Sequence, residues 1–432
     1  MLNNNRTGKI FAIIFILQSC FLTAVCQSKQ TEQKMGGNDA PEIVNNAAAR
    51  KYQIKPQDLP PPFATKSVNR SSRIIKQPKN AKLSVPAGFK INVFAEGDFD
   101  NPRWMTLAPN GDVFLADSGA NSIIVLRDSN KDGTIGEGER FTFADSLRQP
   151  FGMAFSGGWF YVANTDSVVR FRYKNGQTKA EGAPEKIINL TEGGYNQHWT
   201  RNIIFSPDGK KLYVSIGSHG NVEPEQDERR AGISEYNPDG SGYRLFASGL
   251  RNPIGLAFNP TTKQLWTAVN ERDGLGDDLV PDYVTSARDG GFYGFPYAYI
   301  GQNEEPRRKG ERPEMVAKTI VPDVLIESHS AALGIVFYNG KTFPNEYDGD
   351  AFVALHGSWN REKLTGYKII RIRFKDGKPV DNAYEDFLTG WLPDEASNEV
   401  WGRPVGLLVN SDGSLLICDD GANKIWRVSY SK

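Results

Sequence analysis

The chain has 432 residues with 51 basic and 51 acidic side chains. Zero formal charge excludes a nucleic-acid binder that relies on a net basic surface. A hydrophobic share of 39%, 43 glycines, 25 prolines and 11% aromatics describe short strands joined by turns rather than helices.

The first element is a mildly basic "NNNRTGK", then an apolar run over residues 10–25, then the polar "CQSKQTEQK". This order reads as an export signal. The apolar run is roughly 16 residues, short of the ~20 that a spanning helix needs. Residues 1–26 are therefore expected to direct export, giving a periplasmic protein or a membrane-anchored lipoprotein. Cys20 in "LQSC" and Cys26 before the polar stretch are the two sites expected for a lipid anchor. The third cysteine, Cys418 in "SLLIC", has no partner for an internal disulfide in the body of the chain and reads as a buried structural thiol. Residues 27–80, with "LPPPF" and "KQPKNAK", read as a tether and an extended lead-in.

From residue 81 to 432 the chain repeats itself. "NPRWMTLAPNGDVFLADSG", "QPFGMAFSGGWFYVANTD", "WTRNIIFSPDGKKLYVSIGS", "NPIGLAFNPTTKQLWTAVNE", "AALGIVFYNGKTF" and "RPVGLLVNSDGSLLICDDG" each give an apolar strand, a polar turn and an alternating strand. Third strands follow in "NSIIVLRD", "SVVRFRY", "KIIRIRF" and "NKIWRVSY". The units start near Pro102, Pro150, Thr200, Pro253, Ala332 and Pro404. Repeats of this period built from short strands predict an all-β, six-bladed β-propeller. The wide intervals after Pro253 and Ala332 predict insertions in the fourth and fifth blades.

In a propeller the first strand of each blade lines the channel, so residues just before those strands converge at one mouth. That ring holds Arg103, Gln149, His198 with Arg201, Arg251 with Asn252, His329 and Arg403. A cationic funnel with imidazoles suits a small polyanion and a general base. Arginine forks match carboxylates or phosphates. "HGSWNREK" at residues 356–363 adds further His, Arg and Lys to the expected mouth, and His219 in "GSHGN" is expected on a loop.

The acidic "NERDGLGDDLVPDY" at residues 270–283 follows the second strand of the fourth blade. That strand end is expected to point away from the mouth, with the long insertion folding the loop back to it. Carboxylates, glycines and free carbonyls suit Ca²⁺. Glu271 and Asp282 are expected to support this loop, with Arg272 as a local charge partner. A second loop, "DSNKDGTIGEGE", fits the calcium-loop pattern through Asp128, Asn130, Asp132 and Glu139, although a strand precedes it where a helical hand would have a helix. A plain Asp/Gly hairpin turn is the alternative there. No P-loop, dinucleotide fingerprint or Gly-x-Ser-x-Gly elbow is present.

Taken together, "VPAGFKINVFAEG", "NPRWMTLAPNGDVFLADSG", "LRNPIGLAFNP", "NERDGLGDDLVPDY", "DGGFYGFPY" and "RPVGLL" resemble the sorbosone-dehydrogenase-like branch of the soluble quinoprotein sugar dehydrogenases. The resemblance spans roughly residues 82–430. It implies a pyrroloquinoline quinone at the channel mouth, a Ca²⁺ ion beside it, and oxidation of a sugar with a His taking the hydroxyl proton. It implies that His198 is the base and that Arg103, Arg201, Arg251, Asn252 and Arg403 contact the cofactor. Arg361 falls near a lysine of the glucose-oxidising branch. Trp401 falls near a second arginine of that branch and is expected to stack on the quinone or the sugar. The ion would take Gly274 and Leu275 carbonyls with Asp277 and Asp278. The electron acceptor stays unidentified, since no haem-binding Cys-x-x-Cys-His is present. Two other readings are a calcium-dependent propeller lactonase and a non-enzymatic propeller that binds a glycan or protein. The lactonase would need Asp, Asn and Glu on the axis, where this chain has Arg and His.

Overall fold

The computed structural model describes residues 41–46, 49–190 and 198–431. The export segment with Cys20 and Cys26 lies outside these residues, as do residues 27–40 and 47–48 of the tether. Six antiparallel sheets of four or five strands follow one another along the chain. Their innermost strands are Pro102–Leu107, Met153–Ser156, Arg201–Phe205, Pro253–Phe258, Ala332–Phe337 and Pro404–Val409. The chain is a six-bladed β-propeller, as the repeat predicts.

The second strand of every blade is apolar and buried along its whole length or nearly so; Val113–Asp117 and Leu415–Asp419 are two of them. Each is covered on both faces by neighbouring blades, so it is buried on both sides where alternation is expected from the sequence. The last blade is closed by an early strand. Phe89–Glu96 pairs antiparallel with Lys424–Tyr430 as the outer strand of blade six. Cys418 sits wholly buried in that blade's second strand.

A glycine on four of the inner strands or just before them lets neighbouring blades close in. A Cβ at Gly152 would meet the Ile203 backbone N at 2.5 Å, and one at Gly255 the Leu333 carbonyl oxygen at 2.4 Å. At Gly334 it would lie 2.2 Å from the Val405 oxygen, and at Gly406 2.4 Å from the Arg103 oxygen. These are the glycines of "QPFG", "NPIG", "AALG" and "RPVG".

The large fourth-blade insertion lies between its third strand, Asp282–Ser286, and its outer strand, Val324–Ile326. One piece of it, Gly291–Phe292, adds a parallel strand to the edge of blade three. The lead-in also pairs with the propeller. Lys51–Tyr52 extends blade five, and Arg73–Ile74 pairs with Glu399–Val400.

Candidate active site at the channel mouth

The register of the blades decides which residues meet at the mouth. Pro253 pairs with Val269 and Pro404 with Asp419, so the start of each inner strand lies beside the end of the second strand. The loop after a second strand is therefore on the same face as the arginine ring. This corrects the expectation that residues 270–281 point away from the mouth and need an insertion to return. The turn from second to third strand puts them there directly.

Two polar clusters face the mouth. In the first, His198 is buried, with Nδ1 2.9 Å from the Ser218 carbonyl and 3.0 Å from Ser218 Oγ. The carbonyl can only accept, so Nδ1 carries the proton and Nε2 the lone pair. Burial, then the charge of Arg251, pull the His198 pKa down to about 3, so the ring is neutral. Arg251 is 2% exposed; it donates to the Glu271 carbonyl at 2.7 Å, Asn221 Oδ1 at 2.9 Å and Asp273 Oδ2 at 3.1 Å. Asp273 accepts from Asn360 at 2.5 Å and faces His329 Nδ1 at 3.6 Å. Burial alone would raise the Asp273 pKa, but Arg251 and His329 outweigh it and hold the carboxyl low. For His329 burial acts downward, and the bond and charge of Asp273 overcome it.

In the second cluster Arg103 pairs with Asp420, and His356 Nε2 reaches the same carboxylate at 2.8 Å. Arg403 is half-buried, with Nη2 3.0 Å from His356 Nδ1. Burial and then Arg403 lower the His356 pKa to about 4, leaving it neutral. Arg103 also lies 5.5 Å from the ring centre of Trp199.

The predicted residues divide accordingly. Arg103, His198, Arg251 and Arg403 are at the mouth, and Asn252 is buried beside Gly217 and His198. Gln149 is exposed rather than turned into either cluster. Arg201 differs from expectation: its guanidinium donates to the His198 and Thr200 carbonyls at 2.9 and 3.0 Å and so fixes the His198 backbone. Trp401 also differs. It is 1% exposed, and its indole N–H donates to the Gly390 carbonyl at 2.8 Å, so both ring faces belong to the core. His219 is an exposed loop residue.

The acidic loop is already occupied by protein groups. The Leu275 carbonyl accepts from Phe63 N at 2.8 Å, the Gly276 carbonyl faces His329 Nε2 at 2.9 Å, and Asp278 pairs with Arg361 at 2.6 Å. Asp277 takes Glu362 N on one oxygen, and its other oxygen is buried with no partner. Gly274 lies at φ +94 beside Arg307. Leu275 is fully buried in the blade-four core. Among the described residues no three His, Cys, Asp or Glu side chains gather to hold a metal. As arranged, the Leu275 and Gly276 carbonyls and Asp278 are engaged by protein groups, and one buried Asp277 oxygen is left unmatched among the described residues. Glu271, Arg272 and Asp282 are supports, as expected: Arg272 lies between Glu271 at 2.9 Å and Glu305 at 3.4 Å, wholly buried.

The loop at residues 128–139 is a strand connection in blade one. Asp128 accepts from Asp132 N and Gly133 N, Asn130 from Asp132 N, Asp132 from Thr134 N, and Glu139 from Ser129 N and Gly136 N. A cavity of about 300 Å³ opens beside blade five and shares only Arg361 and Lys363 with the expected mouth.

Sequence reasoning missed Asp420, Asp273, Asn221, Asn360 and Ser218. A usable signal exists: all five follow the second strand of a blade, and antiparallel pairing returns that position to the mouth.

A quinone tricarboxylate needs cations and unspent donors. Arg103 and Arg251 each keep a buried Nε with no partner among the described residues, and the buried Asn252 Oδ1 is likewise unmatched. The clusters fit such a ligand.

The family model described as TrAA12-like matches residues 83–431. An uncharacterized protein of Borreliella burgdorferi is 30% identical over 81% of this chain and 91% of its own length. A pyrroloquinoline quinone-dependent sugar dehydrogenase of Hypocrea jecorina is 22% identical over 82% of this chain and 91% of its own. The holo form of the pyranose dehydrogenase PQQ domain from Coprinopsis cinerea superposes with a TM-score of 0.69 at 21% identity, covering 83% of this chain and all of that domain.

Proposed function

The chain belongs to the TrAA12-like family, and on that premise we propose that it is a quinoprotein that oxidises a sugar with pyrroloquinoline quinone as cofactor. The observation that carries the reading is the pair of buried arginines, Arg103 and Arg251, each with an Nε unmatched among the described residues, at a mouth that also holds a neutral buried imidazole. When bound, the quinone supplies a two-electron acceptor for hydride from the sugar carbon.

The chain supplies the rest. Arg103, Arg251 and Arg403 would hold the carboxylates of the quinone. Asp420 and Asp273 pre-set those guanidiniums, so little ordering remains when the ligand arrives. His198 Nε2 takes the hydroxyl proton, while Ser218 and Arg201 fix the ring and the backbone that carry it. No step is routed through calcium, because the loop at 274–278 meets protein donors and cations as it stands. We further propose export, with a lipid anchor at Cys20 or Cys26, on the strength of the leading residues 1–26.

The test is an absorbance titration of purified protein with the quinone, followed by dye-linked oxidation across a panel of aldoses. Saturable binding with turnover of at least one sugar is expected. His198→Ala should keep quinone binding and lose turnover by ~10²-fold or more. No quinone binding and no sugar oxidation would refute the reading.

A further inference from the structure

Residues 54–75 precede the stretch that the family model matches, yet they lie on the mouth loops. Ile54 and Leu59 pack against the blade-four core that contains Leu275, and Ile75 against the core beneath Trp401. Between these two anchors the arm bonds to the loops directly. Phe63 N donates to the Leu275 carbonyl at 2.8 Å, Asp277 N donates to Thr65 Oγ1 at 2.7 Å, and Arg70 N donates to the Trp359 carbonyl at 2.7 Å. The Arg70 guanidinium reaches the Glu362 and Ala396 carbonyls. The two loops are themselves joined through Asn360 to Asp273 and Arg361 to Asp278.

Two aromatic rings stand out of this patch. Phe63 is 58% exposed and Trp359 is 37% exposed. Phe63 also has φ +64, a conformation that a bulky L-residue adopts only when its surroundings impose it. An exposed ring on a strained backbone, held beside a catalytic mouth, is placed for a ligand rather than for folding. The ligand must present an apolar face and suit a polar rim, as the C–H face of a pyranose does.

We propose that this arm is the sugar-selecting wall of the site, with Phe63 and Trp359 stacking on the pyranose ring that reacts beyond them. The proposal rests on the sugar-oxidising reading and deepens it. It makes Phe63 a specificity residue contributed by a segment that the family model does not cover.

The experiment is saturation-transfer NMR and affinity measurement with D-glucose, D-galactose and D-xylose. It uses the full chain, Phe63→Ala, Phe63→Trp and Trp359→Ala, each with and without quinone. A quinone absorbance titration is run on the same samples. Saturation should be strongest on one C–H face of the ring. Phe63→Ala should weaken the preferred sugar about tenfold with the quinone titration unmoved, and Phe63→Trp should retain it. Equal affinity in Phe63→Ala overturns the proposal, as does absence of transfer to every sugar in the unmodified chain. If sugars bind through Phe63 while the quinone does not bind, the quinoprotein reading falls and the sugar wall stands.

Discussion

Arg251 places its two terminal nitrogens on Glu271, Asn221 and Asp273, and those three bonds hold a buried guanidinium in one pose. The arginines and His198 were legible because they stand before repeating inner strands, a fixed register position. Their carboxylate partners were not, because Asp273 and Asp420 belong to loops whose lengths vary from blade to blade. Trp401 was misread for a related reason. Its position in the sequence is at the mouth, but its indole is drawn into the aromatic packing with Trp391 and Trp426. Asp282 shows what burial does when the charge of His329 and three backbone N–H groups only partly offset it. It takes Glu271 N at 2.8 Å, yet burial lifts its pKa to about 7. A carboxyl raised above its unfolded value near 3.8 contributes stability that is complete below that value and lost as pH climbs through the folded one. The fold is therefore expected to lose stability between pH of about 4 and about 7, and Asp282→Asn to remove that share of the slope. Urea midpoints at pH about 5 and about 8 check this; an unchanged slope in the variant would contradict it.

At the scale of the strand, the inner ring is set by glycines. Gly334 and Gly406 each admit a neighbouring carbonyl where a methyl group would lie within 2.4 Å of it. Gly334→Ala and Gly406→Ala should each cost about 1–3 kcal/mol by forcing inner strands apart. Gly136→Ala, whose added methyl group would meet its nearest atom at 3.6 Å, should leave the unfolding midpoint in place. Comparable midpoints for all three would contradict this account. The strand pairs themselves were legible from alternation and turn residues. The acidic loop was expected at the mouth by way of an insertion; its direct route there follows only from the register of Pro253 against Val269, not from the order of elements.

The propeller is a ring, and its closure depends on one pair of strands. The blade count was legible from the repeat; the closing strand and the arm at 54–75 were not, since neither belongs to a repeating unit. The intact chain is expected to unfold in one cooperative transition by circular dichroism, and removing residues 41–96 should abolish it, because blade six loses its outer strand and the ring its latch. A sharp, unshifted transition would contradict that. Closure also has a cost in time. Phe89–Glu96 emerges from the ribosome early, and its partner comes some 335 positions later. At ~5–20 residues per second this edge waits unpaired for roughly 20–70 s. The charges that flank its apolar centre, Lys90 and Glu96, are exposed in the finished blade, and on a nascent chain they would make this waiting edge a poor template for a neighbour.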